Sequence, residues 1–70
     1  MEASIIPLIN ELLDSEINIE QKIKMFKSVI EKEFPGKYKH ISNNIDKYNE
    51  SLHPGEGIMI NHLKSFLKYL

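Results

Sequence analysis

Three histidines, His40, His53 and His62, are the side chains in this sequence best suited to bind a metal ion. A metal centre needs two or three of them to converge, with a carboxylate such as Asp46 or Glu56 as a further ligand. The intervals between these residues match no HExxH motif and no other compact ligand spacing. We therefore predict ordinary surface or turn histidines, with neither a metal nor another cofactor.

The other residue types that could support catalysis lack suitable neighbours. Glu31 and Glu33 lie two positions apart on a predicted helix, so they point in different directions and cannot act as a carboxylate pair. The serines occur in no nucleophile elbow, and the glycines form no phosphate-binding loop. A small chain also leaves little room for the preorganised concave pocket that catalysis requires. We do not expect an enzyme.

Length and composition predict a small domain that depends on an aliphatic core. The chain has 70 residues, which we assign to one domain over 1–70, and it contains eleven isoleucines but no cysteine. At this size apolar burial barely exceeds the entropy cost of ordering the chain, and no disulfide or thiolate zinc site can add stability. No apolar run approaches the ~20 residues of a membrane span, and the acidic N-terminal segment is unlike a signal peptide. We expect a cytoplasmic protein.

Charge is unevenly distributed along the chain, although the net charge is only −1. Residues 1–20 carry five acidic residues and no lysine, whereas residues 21–40 carry six lysines and two glutamates. Neighbouring helices of opposite sign should therefore pair well. Arginine, whose guanidinium binds bases and phosphates bidentately, is absent, and this disfavours nucleic acid as a partner. Abundant Lys, Ile and Asn without Arg is typical of an AT-rich genome. We expect a bacterial or phage source.

Apolar residues at helical spacing predict an all-α fold, a small bundle of three to four short helices with proline-glycine turns. The first helix is predicted from a Ser4 cap to about Asp14. Its inner stripe is Ile5, Leu8, Ile9 and Leu12. The second helix begins after Asn18, which forms a capping pair with Gln21. Its apolar positions are Ile19, Ile23, Phe26, Ile30 and Phe34, broadened by Met25 and Val29.

The remaining helices are separated by two proline-glycine pairs. Pro35-Gly36 predicts a type II turn with the glycine at positive φ, and Pro54-Gly55 ends the third helix. That third helix has a narrow apolar seam and many weak helix formers, so we expect it to be the least stable. The seam is Tyr38, Ile41, Ile45, Tyr48 and Leu52. A broad apolar face on the last helix, 57–70, indicates either a lid on the core or a seam for a partner.

Binding another protein is the function that the sequence favours, as an accessory, regulatory or inhibitory factor. Tyr38 and Tyr48 are candidate contacts because tyrosine buries a large area at low entropy cost. His53 and Glu56 are candidates because they flank the second proline-glycine pair, where a loop can reach a partner. The alternative for the tyrosines is that they cover the edge of the core. Self-association through the 57–70 helix is a further alternative for the partner.

The second function considered is a small helix-turn-helix transcriptional regulator. Its short helices and tight turns are compatible with DNA binding, and the last helix has a polar face that could enter a groove. That face is Asn61, His62, Lys64, Ser65 and Lys68. The near-neutral charge and the missing arginine argue against this function.

Two short segments show a resemblance to a known family. Glu56-Gly57-Ile58, followed by Leu63-Lys64 and Phe66, resembles the start of the last helix of the colicin and pyocin nuclease immunity proteins, which have Pro-Glu-Gly-Ile and then Ile-Lys and an aromatic residue. Glu33-Phe34-Pro35-Gly36 lies where that family has a Glu-His-Pro segment before its short third helix. The resemblance implies a small four-helix inhibitor that occludes a toxin. The family's adjacent tyrosine pair is replaced here by His40-Ile41, so no binding residue is transferred.

Overall fold

The computed structural model describes residues 5–70, which form four α-helices and a C-terminal turn of 3₁₀ helix. The helices are α1 (Ile5–Asp14), α2 (Ile19–Glu33), α3 (Pro35–Leu52) and α4 (Glu56–Ser65), and the turn is Phe66–Tyr69. This part of the chain contains no strand, so the predicted all-α class is confirmed. The proposed Ser4 cap lies outside it. None of these helices combines the length and hydropathy needed to cross a membrane.

Helices α2 and α4 each pack against the other three helices, and the most extensive of these contacts is between α2 and α3. All four helices contribute to one apolar core. The buried members are Ile9, Leu13, Phe26, Ile30, Phe34, Ile41, Ile45, Met59 and Leu63. Because Met59 and Leu63 are fully buried inside the chain, the apolar face of α4 is used as part of the core.

Helix α1 is rotated relative to the stripe expected from the sequence. The structure buries Ile9 and Leu13, four positions apart, whereas Leu8 is 59% exposed and does not belong to the inner face. Successive residues are about 100° apart around a helix, so a small rotation of the helix about its axis moves a side chain from the core to the solvent. In α2, Met25 is likewise exposed instead of broadening the buried face. The Asn18 cap is confirmed, since its Oδ1 accepts a hydrogen bond from the Gln21 N–H at 2.9 Å.

Lys22 is buried in the interior, with only 3% of its surface exposed. Its Nζ donates a hydrogen bond to the Leu13 carbonyl oxygen at 2.9 Å, at the C-terminal end of α1. The last turn of α1 has no basic residue of its own, so Lys22 supplies the cation that the partial negative charge of a helix C-terminus favours. This bond ties α2 to the end of α1.

The expected type II turn at Pro35-Gly36 is wrong. A single residue, Phe34, joins α2 to α3, and Pro35 is the first residue of α3. Proline is tolerated there because the missing N–H has no partner in the first turn of a helix. No glycine in residues 5–70 has positive φ. Helix α3 is continuous over 18 residues because Ile41 and Ile45 bury their side chains in the core, despite the weak helix formers around them.

The predicted 57–70 helix divides into two pieces. It begins one residue earlier, at Glu56, and its α-helical part ends at Ser65, where the Ser65 Oγ donates to the His62 carbonyl at 2.5 Å. A hydroxyl that bonds the backbone in this way competes with regular helix hydrogen bonds. The chain then tightens into the C-terminal turn, and Phe66, Leu67 and Leu70 pack against the edge of the core.

Replacing Lys22 by Met tests the contribution of its ammonium group while keeping an unbranched apolar stem. We expect a loss of about 1–2 kcal/mol in the free energy of unfolding, because the charged hydrogen bond and the interaction with the helix end are both removed. Urea unfolding followed by circular dichroism measures it. Lys24→Met is the matched control, because Lys24 is exposed and lies two residues after Lys22 on α2. This variant should change stability by less than about 0.5 kcal/mol. Equal effects of the two variants would contradict this role.

Candidate protein-binding surface

The four residues predicted to contact a partner lie on α3 or just after it, but not all at one end. Tyr38 precedes Tyr48 by ten residues, which is about 15 Å along a helix. Tyr48 is in the C-terminal half of α3, His53 follows its last residue, and Glu56 is the first residue of α4. The structure therefore places Tyr48, His53 and Glu56 near one end of α3 and leaves Tyr38 near the other.

A link of three residues, 53–55, joins α3 to α4 and is largely exposed. We define the α3–α4 corner as Leu52, His53, Pro54, Gly55, Glu56 and Ile58. Helix α3 stops because His53 adopts the left-handed conformation, with φ 44°, and its N–H donates to the Asn49 carbonyl at 3.1 Å. Gly55 then caps α4 with an extended backbone. A left-handed histidine costs roughly 1 kcal/mol, and such strain is often found at functional positions.

The α3–α4 corner includes two large exposed aliphatic side chains, one on each helix. Leu52 is 63% exposed at the end of α3, and Ile58 is 57% exposed in the first turn of α4. The sequence placed Leu52 on the apolar seam of α3, and this is wrong for that residue because it lies beyond the core. Ile58 was not a predicted contact. It directly precedes the buried Met59, so its exposure could not be read from hydrophobicity without knowing how α4 is rotated.

The corner is apolar and mildly acidic. Glu56 is exposed in the first turn of α4, where a carboxylate is favoured by the partial positive charge of the helix N-terminus. Residues 48–63 contain two glutamates and no lysine. His53 is exposed and adds a polar edge beside Leu52. A contact surface here would thus have an aliphatic centre and a polar rim.

Tyr48 is half-buried because it stacks on His62 of α4. The two ring centroids lie 3.8 Å apart with an angle of 6° between the planes, and the Phe66 ring meets His62 in a T-shaped contact with centroids 5.1 Å apart. Tyr48 therefore covers the edge of the core, the second of the two roles considered for it. Tyr38 also packs against the core and is only partly exposed. Partner contact by the exposed parts of either ring stays a prediction.

The expectation that His62 lies on a free polar face is wrong. Its side chain is held between two aromatic rings, and its Nε2 is buried without a hydrogen-bond partner. Desolvation by this burial lowers the pKa of His62 from its ordinary value of 6.5. His40, in contrast, is exposed on α3, where the Asn44 side-chain amide donates to its carbonyl at 2.9 Å. Within residues 5–70 no three His, Asp or Glu side chains gather in a way that could hold a metal ion.

Several lysines bond to other parts of the chain. The Lys27 Nζ lies 2.6 Å from Asp46 Oδ1, which joins α2 to α3. The Lys64 Nζ lies 2.6 Å from Asp14 Oδ1, which joins α4 to α1. Exposed pairs of this kind contribute little to stability. They link separate helices at the surface of the bundle.

Comparison with known proteins finds no matching protein family, curated protein or solved structure. The resemblance to the nuclease immunity proteins consequently rests on the two short segments 33–36 and 56–66. Function is therefore inferred from the surface just described.

His62 should make folding stability depend on pH. Its folded pKa is lowered, so the unfolded chain binds a proton more readily than the folded chain does. Its contribution is then fully present above pH 6.5 and is lost as the pH falls through the lowered folded pKa. Urea midpoints measured from pH 8 to pH 5 should fall in the acid range for the wild type.

The variant His62→Phe keeps an aromatic ring beside Tyr48 but cannot be protonated, so the acid-side loss should be smaller. His53→Asn is the matched control, since His53 is exposed and asparagine tolerates the left-handed conformation. This control should retain the wild-type pH dependence. An identical pH profile for His62→Phe and the wild type would exclude His62 as the cause.

Proposed function

We propose that this chain acts by binding another protein, and that the α3–α4 corner is its contact surface. The observation that carries the proposal is the pair of exposed aliphatic side chains, Leu52 and Ile58, on either side of one short link. Single exposed apolar residues are common on protein surfaces, whereas contiguous apolar patches rimmed by polar groups are typical of interaction sites, and the proposal is that Leu52 and Ile58 form such a patch. His53 and Glu56 supply that rim.

The corner also has the rigidity that favours binding. His53 is fixed by its hydrogen bond to Asn49, the φ angle of Pro54 is restricted by its ring, and both flanking residues lie in helices. Little conformational entropy would then be lost on association. Full burial of Leu52 or Ile58 against a partner would contribute about 1.5–3 kcal/mol each.

The role that we propose is that of an accessory, regulatory or inhibitory factor that occupies part of a partner's surface. The resemblance of segments 33–36 and 56–66 to the nuclease immunity proteins favours an inhibitory form of this role. The helix-turn-helix alternative has less support, because α4 would have to present a face on which His62 is stacked and Lys64 is paired with Asp14.

The test is affinity capture with immobilised wild-type chain and a lysate of the organism that encodes it. We expect one protein to be retained in stoichiometric amount. The double variant Leu52→Glu/Ile58→Glu should lose it, because two carboxylates would be placed in the apolar centre of the interface. Leu8→Glu is the matched control, since Leu8 is equally exposed but lies on α1. It should retain the partner as the wild type does.

Urea midpoints and light scattering accompany this experiment. All variants should unfold near the wild-type midpoint, because the changed side chains are exposed. Retention of the partner by the double variant, or its loss in Leu8→Glu alone, would place the contact surface elsewhere. Retention of nucleic acid with no protein would favour the alternative function.

A further inference from the structure

A concave surface lies at the other end of α3, away from the α3–α4 corner. It is a half-open groove of about 540 Å³ between the N-terminal half of α3 and the C-terminal turn. Ligand-binding pockets commonly have volumes of about 300–1,000 Å³. The lining residues are Gly36, Lys37, His40, Ile41, Asn44, Phe66 and Tyr69. The groove is therefore large enough for a small molecule.

The walls of the groove are apolar and aromatic. Ile41 is buried at its base, Phe66 is half-buried, and Tyr69 is 69% exposed on the C-terminal turn. An added Cβ at Gly36 would meet nothing within 4 Å, so the wall at this point is open. Flat aromatic groups pack well against such side chains, by offset or edge-to-face contacts.

The two segments that supply the walls of the groove carry charge of one sign. Residues 35–45 and 57–70 contain four lysines and no acidic residue. Lys64 pairs with Asp14 of α1, and Lys37 is the lysine that lines the groove. Helix α3 also has no acidic side chain in its first turn, so the partial positive charge of its N-terminus is not offset there. The apolar groove thus has one cationic side chain, Lys37, in its wall.

Lys37 is placed to act as the polar anchor of this groove. Its Nζ donates one hydrogen bond to the Tyr69 carbonyl oxygen, which brings the ammonium group across from α3 to the C-terminal turn. An ammonium group has three N–H donors, so two remain for an incoming anion. Asn44 and His40 add polar groups along the same side of α3.

We propose that the groove binds a small molecule with a flat apolar body and one anionic group, a carboxylate being the simplest. The body would lie against Ile41, Phe66 and Tyr69, and the anion would meet Lys37. Charge complementarity selects this ligand over a neutral one, and the concave shape selects it over a flat surface such as a membrane. This binding site is separate from the protein contact at the α3–α4 corner.

The experiment uses the full chain and two probes of matched shape, 2-naphthoate and its neutral analogue 2-naphthalenemethanol. Each is titrated into ¹⁵N-labelled protein and followed by amide chemical shifts. We expect saturable shifts at Gly36, His40, Asn44 and Tyr69, with a Kd for naphthoate below about 1 mM. The neutral analogue should bind at least ~10-fold more weakly, because it lacks the charged hydrogen bond.

Four variants locate the interaction. Lys37→Glu should weaken naphthoate binding at least ~10-fold and leave the alcohol little changed. Lys24→Glu, an equivalent charge reversal at an exposed position on α2, is its matched control and should bind naphthoate like the wild type. Tyr69→Ala removes an exposed aromatic wall and should weaken both probes. Leu52→Glu/Ile58→Glu should bind naphthoate normally, which separates this site from the corner.

The proposal is overturned by equal affinity for the two probes, by shifts centred outside the groove, or by no saturable shifts at millimolar naphthoate. Shifts of the same groove residues on simple dilution of the free protein would also overturn it. That result would show that a second copy of the chain, and not a small anion, occupies the groove.

Discussion

The hydrogen bond from Lys22 to the Leu13 carbonyl is the contact on which the arrangement of the helices depends. An ammonium group buried in a small apolar core is costly unless it is paired, and the C-terminal end of α1 gives it that partner. The bond sets where α1 ends against α2. Since α4 packs on both of these helices, their relative position also decides where α4 lies and, through the link at 53–55, where α3 must end.

The length of α3 leaves its C-terminal end beyond the core. Its 18 residues span about 27 Å, whereas the 15 residues of α2, against which it mainly packs, span about 22 Å and the 10 residues of α4 about 15 Å. The buried side chains of α3 are the central Ile41 and Ile45, and Leu52 in its last turn is exposed. The α3–α4 corner forms at one end of α3, and the groove beside Tyr69 forms at the other. Helices α1 and α2 complete the core that holds α3 in place.

The contacts between α3 and α4 include an aromatic stack on His62, whose ring nitrogen Nε2 is shielded from water. His62 stacks on Tyr48 and meets Phe66, which links the middle of α4 to both α3 and the C-terminal turn. The buried Nε2 lowers the pKa of this histidine because no hydrogen-bond partner compensates for lost water. Lysines at the periphery join the helices by bonds to Asp14, Asp46 and the Tyr69 carbonyl. Several polar residues thus join the helices of the bundle to one another.

The sequence by itself determined the all-α class, the approximate positions of the helices and the Asn18 cap, because helical periodicity and capping are local properties of the chain. It also determined that Phe26, Ile30, Ile41, Ile45 and Leu63 belong to apolar faces, and these residues are buried. Only the tertiary structure decided which side of each helix is directed towards the core. Rotation by one residue exposed Leu8, and packing of α3 over α4 enclosed His62. Burial of Lys22 and exposure of Leu52 and Ile58 have the same origin: whether a side chain is buried depends on which helix lies opposite, and that information is not local.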